Sequence, residues 1–136
     1  RVTRPRGAIA ACVWDHGGGT GPLSAFWRAA RELDPGVADE SDLPGSRRGQ
    51  LEQLFQAAGL ADVHGTYLVA DLAMSDFETW WAPFEQGVGP AGLYVDRLDA
   101  NARAALQDRC RRQLGNGEFV ITARAWAARG AARTCP

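Results

Sequence analysis

Residues Gly7 to Asp15, Gly-Ala-Ile-Ala-Ala-Cys-Val-Trp-Asp, constrain the fold more than any other stretch. Seven apolar residues, Ala8 to Trp14, lie between the turn signal Pro5-Arg6-Gly7 and the polar Asp15-His16-Gly17. A short apolar run between turn signals, without polar alternation, suits a strand buried on both faces. Such strands belong to sheets covered by helices on each side, where ligands sit outside the carboxyl ends of the strands. Asp15 and His16 stand at that end. The strand starts at residue 8, and no partner strand is expected among the seven residues ahead of it.

A chain of 136 residues suits one domain with a modest core. A net charge of -1 argues against a nucleic-acid footprint. All 15 basic residues are Arg, a pattern of coding bias rather than of function. No apolar run approaches a membrane span, and no signal peptide is expected before the first strand. Cys12, Cys110 and Cys135 are odd in number and lack CxxC spacing, which fits buried thiols in a reducing cytoplasm. His16 and His64 are the only imidazoles, and a metal cluster would need ligands converging from distant segments, so none is expected.

The glycine run Gly17 to Gly21 departs from the G-x-G-x-x-G spacing of a nucleotide fingerprint and reads as a flexible loop. Leu23, Phe26, Trp27, Ala30 and Leu33 form one helical stripe after Pro22. A surface loop follows over residues 36–46. The next helix, about Arg47 to Ala58, is expected to bury Leu51, Leu54, Phe55 and Ala58, with Gly59 as a left-handed cap. A strand is expected over Val63 to Leu72. Ser75-Asp-Phe-Glu78 has the form of a capping box opening a helix with Phe77, Trp80, Trp81 and Phe84 on one face, which Pro83 should kink or end early. A short helix near Leu93 to Leu98 precedes a longer one from Ala100 to Leu114, capped by Asp99. The last strand, Glu118 to Ala127, alternates Phe119, Ile121, Ala123, Ala125 with Val120, Thr122, Arg124, Trp126. Residues 128–136 read as a frayed tail.

Within this order a family resemblance emerges. Arg1-Val-Thr-Arg-Pro-Arg-Gly-Ala-Ile resembles the R-V-L-R-P-G-G segment leading into the fifth strand of class I S-adenosylmethionine-dependent methyltransferases. Val13-Trp14-Asp15, the Leu51 to Leu60 helix ending A-A-G-L, and the Ala125-Trp126-Ala127 strand are similar to the same family. Thr3 stands where the family has an apolar residue, and Arg6 where it has the first glycine of the turn. The resemblance spans the chain and maps to the C-terminal half of that domain. It implies an α/β fold: a partial Rossmann-like sheet of strands equivalent to the fifth, sixth and seventh, in the order 5-7-6, with flanking helices. Residues 1–136 would form a single partial domain, with 75–114 a helical insertion over the substrate pocket. The cofactor is S-adenosylmethionine for the family. Its glycine-rich loop and ribose-binding acid have no counterpart here and would precede residue 1, so no cofactor ligand is carried onto this chain, and the chain alone is expected neither to bind the cofactor tightly nor to catalyse.

Asp15 and His16 could orient a substrate or act as a general base; polar residues after a strand also serve as caps and loop contacts. Trp80, Trp81 and Phe84 could line a substrate pocket; an aromatic stripe at helical spacing also serves as core. His64 reads as structural, and Arg124 as reaching solvent or pairing with a carboxylate. Three functions stay open: the substrate-side portion of a small-molecule methyltransferase, a non-catalytic relic, and a binding or dimerisation module. A homodimer is expected through the bare edge of the Ala8–Trp14 strand. Neither nucleic acid nor membrane is expected as a partner.

Overall fold

The computed structural model describes residues 3, 4 and 6–133. Arg1, Val2 and Pro5 of the segment that carries the resemblance, and Cys135 of the tail, lie outside the described residues. The described chain is α/β: β1 (Ala8–Trp14), α1 (Ser24–Leu33), a 3-10 turn (Glu40–Asp42), α2 (Gln50–Ala57), β2 (Ala61–Met74), α3 (Phe77–Glu85), α4 (Gly89–Asp96), α5 (Ala100–Leu114) and β3 (Phe119–Ala131).

The strands form one sheet in the order β1-β3-β2, so the last strand is central. β1 runs antiparallel to β3, with Ala8 opposite Ala131 and Trp14 opposite Ala125. Between β2 and β3, Tyr67 meets Trp126 and Thr122 donates to Asp71. Numbers that rise on one strand as they fall on the other mark an antiparallel pair. The expected strand order is therefore present, but that order does not by itself specify a methyltransferase sheet.

The chain divides into two compact units. The first takes the described residues up to Gly21, Ser41–Ala70, and those from Ala123 onward. Its core is Leu51 and Phe55 of α2 against Ala128, flanked by Ile9, Ala11, Val13, Leu60, Val63 and Trp126. β1 corrects the expectation of a strand buried on both faces. Ile9, Ala11 and Val13 are half-buried under α2, while Ala8, Ala10, Cys12 and Trp14 are exposed. An apolar run reports hydrophobicity, not how many layers cover it. Cys12 is accordingly exposed rather than buried. The apolar face of α2 is also narrower than expected: Leu54 is 45% exposed and Ala58 is exposed. Gly59 takes the left-handed cap, at φ 76°.

β3 continues four residues past the expected end at Ala127. Residues 128–131 are strand, not tail, because Ala128 packs under α2 and Gly130 lies close to Leu60 and Phe55. Small residues with no apolar bulk left no pattern to read.

The second unit takes Pro22–Glu40 and Asp71–Thr122. Its core joins Phe26, Trp27, Ala29 and Ala30 of α1 to Phe77, Trp80, Trp81 and Phe84 of α3, Ala91 and Val95 of α4, and Leu106 and Cys110 of α5. Phe26 stands 4.8 Å from Phe84 and 5.0 Å from Trp27, ring centre to ring centre. Trp27 donates its indole N–H to Glu40 and Trp81 to Glu85, each at 2.9 Å, so neither buried indole lacks a partner. The capping box is shifted by one residue. Asp76, not Ser75, caps α3, accepting from Thr79 N–H at 2.7 Å, while Ser75 Oγ donates to Asp76. Asp99 caps α5 as expected, accepting from Ala102 N–H at 2.8 Å. Pro83 sits inside α3, which ends two residues later at Glu85.

Candidate functional site

The carboxyl end of β1 is built around one carboxylate. Asp15 is 2% exposed. Its Oδ1 accepts from Gly18 N–H at 2.9 Å and from the Trp126 indole N–H at 2.8 Å, and its Oδ2 accepts from the Thr20 hydroxyl at 2.5 Å. Hydrogen bonds to an ionised acceptor are among the stronger ones in a protein. The backbone closes the same ring: Thr20 N–H donates to Asp15 O, Asp15 N–H to Arg124 O, and Arg124 N–H to Thr20 O. Farther along, Gly17 N–H donates to Ser46 O, and the Arg47 guanidinium donates to Gly17 O at 2.9 Å. The glycine run is thus a tied turn, which corrects the expectation of a flexible loop. Gly18 is required by close approach, since a Cβ there would overlap the Asp15 carboxylate.

His16 follows, half-buried, with its N–H donating to Trp14 O at 2.8 Å. It borders an open groove of about 640 Å³ on the exposed face of β1, with Cys12, Trp14, Leu68, Ala70 and Ala125. His16 is the imidazole at this edge of the groove. Asp15, with both oxygens engaged internally, holds the loop that presents it. A second stretch of the same face, lined by Ala10, Cys12, His64, Leu68 and Ala127, forms a groove of about 490 Å³. His64 is exposed on it.

Trp80, Trp81 and Phe84 belong to the second unit, at 5%, 1% and 6% exposure. Phe77 and Trp81 stack at 6.0 Å, and Trp80 meets Phe84 edge-on at 5.0 Å. This is the packing of a core. In the same unit, burial and the nearby Glu32 carboxylate push the Cys110 thiol up to about 12.

Arg124 departs from the expectation of a side chain that reaches solvent or pairs with a carboxylate. Arg124 is half-buried: its Nε is buried without a hydrogen-bond partner, and the guanidinium lies against the Tyr67 and Trp126 rings. The signal was the alternation in β3, which puts Arg124 on the same face as Trp126.

The one glycine-rich turn after a strand has the wrong spacing for a nucleotide fingerprint, and Asp15 already takes its Gly18 N–H and Thr20 hydroxyl. Among the described residues, no group of three or more His, Cys, Asp or Glu is placed to hold a metal ion. No helix among them is long and apolar enough to cross a membrane. Comparison with protein-family models and with curated proteins gave no match.

Proposed function

We propose that this chain is the substrate-side portion of a class I S-adenosylmethionine-dependent methyltransferase acting on a small molecule in a reducing cytoplasm. The observation that carries the reading is the sheet itself, with the last strand central and antiparallel to the first and helices joining consecutive strands. The motif similarity of the Gly7–Asp15 and Ala125–Ala127 segments supports it. In this reading His16, at the carboxyl end of β1, is the group that meets substrate. Asp15 shapes the loop that holds it, and Trp80, Trp81 and Phe84 supply the aromatic body of the substrate-side helices. The methyl donor would be held by residues outside these 136. The coding sequence immediately upstream is the test. An in-frame strand–GxGxG–helix supports the reading, and a stop codon directly ahead overturns it.

The open apolar face of β1 favours a second reading, a binding or dimerisation module. Self-association in solution distinguishes it from the first reading.

A further inference from the structure

Arg124 has an environment that its place in the sheet does not explain. Its backbone is held on both sides, by Asp15 and Thr20. Its guanidinium carbon lies 5.1 Å from the centre of the Tyr67 ring and 5.8 Å from that of Trp126. The two rings meet edge to face at 6.4 Å, and the Trp126 indole is anchored on Asp15. The guanidinium is attracted by both rings, yet its Nε is buried with no hydrogen-bond partner. No carboxylate among the described residues pairs with it. Buried polar atoms are nearly always satisfied, so a guanidinium without a protein carboxylate that borders a groove is placed to take an acceptor from a ligand.

That groove measures about 390 Å³ and is bordered by Arg48, Glu52, Tyr67, Arg124 and Trp126. Its size lies in the range of small-molecule sites. Glu52 reaches it across β2 only because residue 65 is glycine, where a Cβ would overlap the Glu52 carboxylate.

We infer that this groove binds a small aromatic carboxylate. The forked donors of Arg124 match a planar carboxylate, with Arg48 adding a second positive charge at the rim. The ring of the ligand lies against Tyr67, which is 56% exposed and offers a face to stack on. Glu52 opposes a doubly charged phosphate and accepts from a hydroxyl or amine carried by the ligand ring. The inference stands apart from methyl transfer and holds whichever function the chain serves.

Sodium benzoate titrated into the full chain is the probe, followed at the indole N–H resonance of Trp126, assigned by its loss in Trp126→Phe. A saturable shift at millimolar benzoate or below is expected, with acetate, which lacks the ring, and benzyl alcohol, which lacks the charge, both weaker. Arg124→Lys should weaken binding about tenfold, since it keeps the charge and loses the fork. Arg48→Ala and Tyr67→Ala alter exposed side chains and should weaken benzoate; Tyr67→Ala also moves the ligand-free Trp126 resonance, since the two rings meet, while resonances remote from the groove stay in place. Four results would overturn the inference: no saturable shift, acetate as strong as benzoate, unchanged benzoate affinity in both exposed-residue variants, or tighter binding of inorganic phosphate.

Discussion

The Trp126 indole N–H donates to Asp15 Oδ1 at 2.8 Å, closing a contact between residues 111 positions apart. It joins the loop after the first strand to the central strand of the sheet. Trp126→Phe keeps an aromatic ring but removes the donor and part of the indole volume, so it should cost at least about 1.5–3 kcal/mol, the usual worth of a hydrogen bond to a charged group. Urea unfolding of Trp126→Phe, Asp15→Ala and the double variant measures the coupling. Additive losses would mean that the contact carries no energy.

Trp81→Ala should lower stability by about 3–5 kcal/mol, since it leaves a large cavity and an unpaired Glu85. A melting temperature within a degree or so of the parent would contradict the core role.

Cys110 and Cys12 should differ in reactivity. The thiolate is the nucleophile, Cys110 is pushed to about 12 by burial and Glu32, and Cys12 is exposed. Alkylation of the folded protein at neutral pH, followed by peptide mapping, should label Cys12 and leave Cys110 unmodified until denaturant is added. The same shift gives a pH dependence. Because the folded value is raised from 9.0, the contribution of Cys110 is fully present below about pH 9 and is lost between there and about pH 12, as the unfolded thiol ionises and the folded one does not. Cys110→Ala should flatten the fall in stability over that window, and an unchanged slope would assign the fall to other groups.

Isothermal titration of S-adenosylmethionine into the purified chain should give no tight binding, because no motif in its sequence matches the glycine loop or ribose acid of the methyltransferases it resembles. Low-micromolar binding at one site per chain would sink that expectation.

β1 lies at one side of the sheet, its second edge unpaired among the described strands, with Ala8, Ala10, Cys12 and Trp14 exposed on one face. Such an edge is a template for pairing, so the chain should form a two-fold dimer. Light scattering over a concentration series checks this, and a constant monomer mass at millimolar protein would mean that the edge is protected.

Element positions were legible where side-chain periodicity was strong. The stripe of Phe26, Trp27 and Ala30, the Phe77 to Phe84 face and the Asp99 cap all stand where spacing puts them. Failures came where the signal depends on partners. The run Ala8 to Trp14 was apolar enough for a doubly covered strand, but only α2 packs on it within its unit. Ser75 fitted a capping box, yet Asp76, one residue on, accepts the Thr79 N–H. At the candidate site, position after a strand singled out Asp15 and His16, but it could not tell a carboxylate saturated by three donors from an imidazole beside a groove. Arg124 was read as solvated or carboxylate-paired because a lone arginine on a strand looks so until the rings around it are known.

Gly18 is solvent-exposed, and surface positions ordinarily tolerate most replacements. Here the Asp15 carboxylate occupies the space that any side chain would need. Displacing it releases the Thr20 hydroxyl and the Trp126 indole together, and Trp126 is one of the two rings against Arg124. In a deep mutational scan, residue 18 should therefore show the intolerance of a core site such as Phe26, and an estimate of tolerance based on accessibility alone would rank it among the most permissive positions in the protein.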